Sequence, residues 1–488
     1  MVTDTGAGVR TTSAAIDRKA RLKLPPQPMP AQDPKGRVRN FDEVYLPLDV
    51  ETARREALRC IQCPAAPCQK ACPVHNDIPG AFLRLENGDL LGGARVFFQT
   101  SNLPDMCGRL CPQERLCEGH CVVGKHALPV AIGRLETFLA DRLVEAEGYP
   151  DPGAVRRTGR RVAVVGAGPA GLVVAEELAR RGHAVTMFDA WPEPGGLLTY
   201  GIPSFKLAKR IVDRKVDFLL NRLGVRFVGD TYIGRDRTVD GLLAEGFDAV
   251  FLAHGASVNN TLDVPGADLP GVMHATEFLV RANLPPERLP ERLRTPLPPV
   301  RNVVVIGGGD TSMDCVRSAV RLGAGRVTLV YRRTEAEMVG RAEERKHARE
   351  EGVVFEYLTS PVRFVQGPDG HVSGVVCQRM ELGAPDESGR RRPVPVVGSE
   401  FTLPADLVAL AVGYRADPGV AASAQGLEYG PDGLVIANEE TGETNRPGVF
   451  AAGDCVHGAD LVVTAVAAAR KAAAAIHEYL TRKAQAAA

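Results

Sequence analysis

The alternation of apolar and polar positions changes character along the chain, and each change marks a different kind of structure. From Phe41 to about Gly148 apolar residues recur at helical spacing, as in DVETARREALRC and PGAFLRLENGDLLGGARVFFQ, which predicts short helices punctuated by cysteines. Ahead of them, residues 1–40 are rich in proline and small polar residues, with PPQPMPAQDP in the middle, and read as an extended arm lying over another surface. Between Tyr149 and Arg161 the run YPDPGAVRRTGRR has the composition of an exposed linker. Beyond it the pattern turns to short apolar runs separated by glycine turns and amphipathic stretches, which predicts strands alternating with helices.

Two of these alternating stretches carry chemistry. RVAVVGAGPAGLVVAEELARRGHAVTMFDA, Arg161 to Ala190, predicts a strand, a glycine turn, a helix and a second strand closed by an acid. Its G-x-G-x-x-G glycines are Gly166, Gly168 and Gly171: the first permits the tight turn, the second lets a pyrophosphate approach the backbone, the third lets helix pack closely on strand. The pyrophosphate then rests on the helix N-terminus, where free N–H groups and the helix dipole favour anions. Asp189 stands at the distance expected of a carboxylate that accepts from ribose hydroxyls.

A second unit, NVVVIGGGDTSMDCVRSAVRLGAGRVTLVYRR, has Gly307 and Gly309, with Ser312 where the third small residue belongs. Its second strand ends in Tyr331-Arg332-Arg333 instead of an acid. Arginines attract a 2′-phosphate that a carboxylate would repel, so this site is expected to prefer NADP over NAD. Two nucleotide units of different polarity on one chain suggest a flavin and a nicotinamide brought together for hydride transfer. VFAAGDCV, Val449 to Val456, reads as a late strand ending in Gly453-Asp454, followed by a helix.

Eight of the eleven cysteines crowd between Cys60 and Cys121. The first four, in RCIQCPAAPCQKACPV, fall at C-x2-C-x4-C-x3-C and the last is followed by proline; a second group, CGRLCPQERLCEGHC, spans Cys107 to Cys121. Structural zinc sites show two close pairs separated by a longer spacer, which these gaps fit poorly. In ferredoxin-type runs ending C-P, the fourth cysteine leaves its own group for the other cluster. Two intertwined 4Fe–4S clusters are therefore the leading reading from spacing, with zinc, disulfides and inert thiols as the alternatives.

Charge and hydropathy narrow the classes. Lysine plus arginine equals aspartate plus glutamate at 59 each, which gives no electrostatic reason for a nucleic-acid or anionic-membrane partner. No apolar run reaches the roughly 18 residues needed to span a bilayer, and MVTDTGAGVRTTSAAIDRKA lacks the apolar centre of a signal peptide. A cytoplasmic protein is expected, where disulfides are disfavoured.

With PGGLLTYGIPSFKL, Pro194 to Leu207, following the first nucleotide unit and the two cysteine groups upstream, the chain from about Phe41 onward resembles the glutamate synthase small (β) subunit family. The same module is shared with the N-terminal half of dihydropyrimidine dehydrogenase and the large subunit of the NADH-dependent ferredoxin:NADP oxidoreductase. The resemblance implies an α/β chain with a helical N-terminal iron–sulfur domain followed by two Rossmann-like dinucleotide-binding domains, the NADPH domain inserted into the FAD domain. It sets the expected boundaries at 1–40 (arm), 41–158 (two 4Fe–4S clusters), 159–295 and 411–488 (FAD), and 296–410 (NADPH).

Residue by residue, the resemblance assigns one cluster to Cys60, Cys63, Cys68 and Cys121, and the other to Cys72, Cys111, Cys117 and an oxygen ligand, Glu136. Cys107 is left over as a buried thiol. FAD falls on Gly166, Gly168, Gly171, Asp189, Gly196, Leu197, Lys206, Gly453 and Asp454; NADPH falls on Gly309, Asp310, Thr311, Ser312, Arg333 and Arg341, with Arg332 added from charge. Ala411, Val412 and Gly413 are expected beside the nicotinamide. Cys315, Cys377 and Cys455 form no C-x-x-C pair and are expected to be core thiols.

The implied activity is NADPH oxidation at FAD, with electrons leaving singly through the clusters to a glutamate synthase large (α) subunit that makes L-glutamate from L-glutamine and 2-oxoglutarate. Once the three domains are assigned, no stretch of domain size remains for the amidotransferase and FMN barrel. The alternatives are an electron-bifurcating ferredoxin:NADP oxidoreductase subunit and the electron-input part of a dihydropyrimidine dehydrogenase.

Overall fold

A computed structural model describes residues 16–298, 301–385, 389 and 391–486. The chain forms two compact units, residues 1–29 with 47–148, and residues 30–46 with 149–488.

The described part of the first unit is helical. Helices Val50–Leu58, Ile78–Glu86 and Leu90–Thr100 each start on an aspartate whose carboxylate accepts from an N–H three residues on: Asp49 from Thr52 (2.8 Å), Asp77 from Gly80 (3.0 Å), Asp89 from Gly92 (2.9 Å). Their apolar stripes and that of Ile132–Glu147 close one core around Phe82, Leu85, Phe97, Leu135 and Leu139. Helix Pro104–Leu110 meets Ile132–Glu147 at glycine: a Cβ on Gly108 would lie 2.8 Å from the Gly133 carbonyl oxygen, and one on Gly133 would lie 2.9 Å from that of Gly108. That close approach turns Glu136, one turn beyond Gly133, toward the cysteine-bearing segments.

In the second unit β1 (Arg161–Val165), β2 (Ala184–Phe188), β3 (Arg226–Val228) and β4 (Ala249–Leu252) open a parallel sheet, and β5 (Val258–Asn259) leaves it. β6 (Val272–His274), β7 (Asn302–Ile306), β8 (Arg326–Val330) and β9 (Val354–Glu356) build a second parallel sheet. β10 (Thr359–Gln366), β11 (Val372–Pro385), β12 (Arg391–Pro395) and β13 (Phe401–Pro404) form an antiparallel layer. β14 (Leu407–Leu410) rejoins the second sheet, β15 (Tyr414–Arg415) pairs with β5, and β16 (Val449–Ala451) rejoins the first.

The strand orders are β16-β4-β1-β2-β3 and β6-β14-β7-β8-β9, so one doubly wound sheet is inserted whole into another. Both faces are covered, in the second sheet by helices Ala275–Asn283 and Asp310–Arg321 on one side and the antiparallel layer on the other, which is why β1, β4, β7 and β14 are near-continuous buried apolar runs.

Two expectations differ from this structure. The inserted domain begins at β6, not at residue 296: helix Ala275–Asn283 already packs Ala275, Phe278 and Leu279 into the same core as Val303 and Met313. β6 is only three residues long and sits on the sheet edge behind the turn-rich DVPGADLPG, too short to show a period. The linker after Gly148 is not uniformly exposed either. Tyr149 is buried, its ring 5.4 Å from that of Phe218 and under the Lys215 ammonium at 4.4 Å. No described helix is long and apolar enough to cross a membrane.

Candidate functional site

Because β1, β2, β4 and β16 run parallel, their carboxyl ends share one edge, and Gly166, Asp189, His254 and Gly453-Asp454 all fall just beyond it. Gly166 has φ +99°, and a Cβ there would lie 2.3 Å from the Ala253 carbonyl oxygen. One on Gly171 would lie 2.0 Å from that of Gly166, so helix and turn touch only through glycine. Gly196 has φ +53°, and its Cβ would stand 2.7 Å from the Gly168 Cα: two glycine loops meet backbone to backbone, held by Gly195 N–H donating to Ala167 O at 2.8 Å. A Cβ on Gly168 would meet nothing nearer than 3.9 Å, and no side chain caps helix Pro169–Arg180. The space before that N-terminus is open backbone, which suits a pyrophosphate.

Around this cradle, Leu197 is 49% exposed, and a Cβ on Gly453 would lie 3.1 Å from that of Ala170, which ties the third loop to the same helix. Burial pushes Asp454 up to about 7. Asp189 closes β2, but its carboxylate also clamps the glycine turn, accepting from Ala167 N–H at 2.7 Å and Trp191 N–H at 2.9 Å. Burial pushes it up to about 6 against the backbone N–H groups of Ala167, Trp191 and Ala190, and three donors on a carboxylate's four lone-pair sites leave one for a ribose hydroxyl.

Sequence alone does not single out His254, which follows β4, the strand between those that end in the Gly166 and Gly453 loops; its buried Nδ1 has no hydrogen-bond partner among the described residues, and burial lowers the imidazole to about 4. Only the strand order reveals it, since one histidine after AVFLA has no pattern of its own. The Lys206 ammonium donates to Asp314 at 2.8 Å, with Glu344 at 3.8 Å, both in the inserted domain, so this residue after the first cradle ties the two domains together. Burial would lower this lysine, but those carboxylates raise it to about 12.

The second cradle repeats the first at the carboxyl ends of β7, β8 and β14. A Cβ on Gly307 would lie 2.3 Å from the Ala411 oxygen and 2.5 Å from the Ser312 hydroxyl oxygen. Gly309 precedes helix Asp310–Arg321 with no side-chain cap, and the buried Ser312 hydroxyl has no partner among the described residues. The following loop folds back over this turn, with Gly340 N–H donating to Gly308 O (3.0 Å) and Arg341 N–H to the Asp310 carboxylate (2.9 Å). Thr311 contacts the Tyr414 hydroxyl.

Ala411, Val412 and Gly413, with φ +97° at Gly413, carry the chain from the end of β14 into β15 beside this cradle. The two arginines diverge. Arg332 is exposed, whereas Arg333 is 5% exposed and its Nε donates to Arg391 O in the antiparallel layer. Of the adjacent pair, Arg332 is the one presented to solvent.

In the helical unit, Cys60, Cys63, Cys68 and Cys121 line one cavity walled by Ile61, Ile78, Phe82 and Val123. A second set gathers electrostatically: Cys72 feels Glu136 and Cys111, and Cys117 feels Glu136, Cys111 and Cys72. Cys107, 2% exposed, hydrogen-bonds Cys111. Glu136 is 6% exposed and accepts from Asn76 Nδ2 at 3.2 Å; burial pushes it up to about 8. Burial likewise pushes Cys60 up to about 12 and Cys68 and Cys72 to about 11. Grouped thiols that resist ionisation need a cationic centre to become thiolate ligands. All eleven cysteines are free thiols. Among the described residues no three His, Cys, Asp or Glu side chains converge on a single metal ion. Cys60, Cys63, Cys68 and Cys121 instead surround a space, which a polynuclear cluster requires.

Two interleaved nucleotide cradles with a cysteine-lined helical unit define a pyridine-nucleotide oxidoreductase with iron–sulfur chemistry. Residues 160–469 match the family described as pyridine nucleotide-disulphide oxidoreductase, and residues 37–148 match dihydropyrimidine dehydrogenase domain II, 4Fe-4S cluster. The chain is 42% identical to the glutamate synthase [NADPH] small chain of Escherichia coli K12 over 466 residues, 94% of this chain and 97% of that one. The putative oxidoreductase AegA of Escherichia coli K12 is 43% identical over 453 residues, 91% of this chain and 68% of AegA. FprA of Mycobacterium tuberculosis in complex with NADPH superposes with a TM-score of 0.56 at 22% identity, covering 68% of this chain and 86% of FprA, a likeness of fold. The chain belongs to the pyridine nucleotide-disulphide oxidoreductases and, within them, to the glutamate synthase small-chain family.

Proposed function

We propose that this chain is the electron-input subunit of a glutamate synthase, a cytoplasmic protein that oxidises NADPH at FAD and delivers the electrons through two 4Fe–4S clusters to a large subunit making L-glutamate from L-glutamine and 2-oxoglutarate. The observation that carries this reading is the cavity ringed by Cys60, Cys63, Cys68 and Cys121 on a chain with two glycine cradles. Gly166, Gly168, Gly171, Gly196, Leu197, Lys206, Asp189, Gly453 and Asp454 would hold FAD, with the pyrophosphate on the N-terminus of Pro169–Arg180. Gly309, Asp310, Thr311, Ser312, Arg332, Arg333 and Arg341 would hold NADPH, the arginines neutralising the 2′-phosphate, with Ala411–Gly413 beside the nicotinamide. Cys72, Cys111, Cys117 and Glu136 would hold the second cluster. Bound FAD supplies the conversion from two-electron to one-electron chemistry. The chain's own part is to orient the two nucleotides, exclude water and set the environment of the iron.

A second reading is favoured by similarity of equal size to oxidoreductases not named as glutamate synthases, AegA at 43% and UacF at 41% identity. In that reading the same input module serves another acceptor. Anaerobic purification of the tagged protein from its own host, with mass spectrometry of what stays bound, separates the two. A large amidotransferase chain supports glutamate synthase; a small flavoprotein, or no large chain, overturns it.

A further inference from the structure

β4 lies between β1 and β16, so the turn that follows it stands between the Gly166 and Gly453 loops, and its backbone is fixed there from both sides. Ala253 N–H donates to Val165 O at 2.7 Å, and a Cβ on Gly166 would lie 2.9 Å from the His254 Cα. On the other side Ala452 N–H donates to Leu252 O at 3.2 Å, and Gly255 N–H hydrogen-bonds the Cys455 sulfur. The turn itself borders open space: Gly255 has φ +72°, and a Cβ there would meet nothing within 4 Å.

The imidazole held in this place is unsatisfied. Its Nδ1 is buried and has no hydrogen-bond partner among the described residues. Asp417, whose charge acts on the ring, is engaged elsewhere, accepting from the Tyr232 hydroxyl at 2.7 Å, the Gly419 N–H at 2.9 Å and the Ser257 hydroxyl at 3.2 Å. Burial lowers the ring to about 4 against that carboxylate, so at neutral pH it carries one N–H and one lone pair. A buried polar group without its hydrogen bond destabilises the fold unless a ligand supplies the partner. No other side chain placed at this edge offers an N–H that is free to donate. The glycines bring no side chain, Leu197 has no polar atom, Asp189 and Asp454 are acids, and the Lys206 ammonium is paired with Asp314.

We propose that His254 binds FAD, donating its Nδ1–H to the pyrophosphate that rests on the neighbouring helix N-terminus. The proposal rests on the FAD reading above and adds a side-chain donor to a cradle otherwise made of backbone and acids. Asn is the conservative replacement, since its amide nitrogen reaches the position of Nδ1, whereas Phe keeps the ring and removes the hydrogen bond.

Flavin release and phosphorus magnetic resonance test this on the holoprotein. On anaerobic dilution, followed by the rise of free-flavin fluorescence, His254→Phe should release FAD ~10-fold faster than wild type, as the loss of one hydrogen bond to a charged group requires. His254→Asn should recover most of the retention. His457→Gln, at the exposed end of the short helix after Gly453, should leave release unchanged. A phosphorus resonance of the bound cofactor should move in His254→Asn and not in His457→Gln, a response that packing alone does not give and that decides the matter even if His254→Phe folds poorly. Release at the wild-type rate from His254→Phe, or phosphorus resonances that coincide in wild type and His254→Asn, would overturn the proposal. Wild type that purifies without flavin would contradict the FAD reading and this proposal with it; flavin held alike by every variant contradicts the proposal alone.

Discussion

At the residue scale the two cradles make sharp demands on single atoms. A Cβ on Gly196 would collide with the Gly168 Cα at 2.7 Å in a backbone with φ +53°, so Gly196→Ala should purify with most of its flavin lost, read as the ratio of visible to ultraviolet absorbance. Retention of full flavin would remove Gly196 from the cradle. The divergence of the paired arginines gives a second expectation. Arg332→Ala should weaken NADPH about tenfold while leaving NADH nearly unchanged, because a charge pair with the 2′-phosphate is worth ~1–3 kcal/mol; equal losses for both nucleotides would contradict the phosphate role. Glu136→Ala should change the electron paramagnetic resonance signal of one cluster only, and an unchanged spectrum would return Glu136 to a purely structural role. The glycines were legible in the sequence because their demands are local, set by a turn and the helix that follows. Glu136 and Lys206 were legible only through the family resemblance, and His254 not at all, because their partners come from distant segments: Asn76 for Glu136, the neighbouring strand ends for His254, and Asp314 for Lys206.

At the element scale, a buried ionic cluster anchors the arm and the PSFKL segment to the inserted domain. Glu351 accepts from Arg37 (2.7 Å), Arg317 (2.9 and 3.0 Å) and Arg321 (2.8 Å). Phe205 lies under the Arg317 and Arg321 guanidiniums at 4.5 and 4.0 Å, and its carbonyl accepts from Val44 N–H at 3.0 Å. Glu351→Gln leaves three guanidiniums short of charge and should cost ~3–5 kcal/mol, whereas Glu51→Gln at the exposed Arg55 pair should cost ~0–1 kcal/mol. Burial opposes ionisation of Glu351, but Arg321 and Arg317 hold it down at about 2, below its ordinary 4.5. Its stabilisation is therefore complete above pH 4.5 and lost as pH falls toward 2, so the margin of wild type over Glu351→Gln in denaturant melts should shrink from pH 7 to pH 3. A constant margin would show that charge is not what Glu351 contributes. The arm's composition announced a segment lying on another surface, and Arg37 does so. Which carboxylate receives it was not legible, because the partners lie 313 and 314 residues away.

At the scale of the whole molecule, three building blocks are each recognisable from a short stretch, their nesting is legible through the family resemblance, and the point where the inserted sheet begins is not. The strand ending at Ala451 returns to a sheet begun at Arg161, and the intervening parallel sheet starts at β6, where three edge residues leave no periodic trace. What the assembly offers chemically is a two-electron donor site and a one-electron outlet on one polypeptide. The most direct test of that claim is an anaerobic titration of the purified chain with NADPH, followed together by visible absorbance and low-temperature electron paramagnetic resonance. Substoichiometric NADPH should bleach the flavin and raise reduced-cluster signals in step, in a protein holding roughly eight irons per FAD. Flavin that stays oxidised, or iron near zero with stoichiometric zinc, would contradict the account.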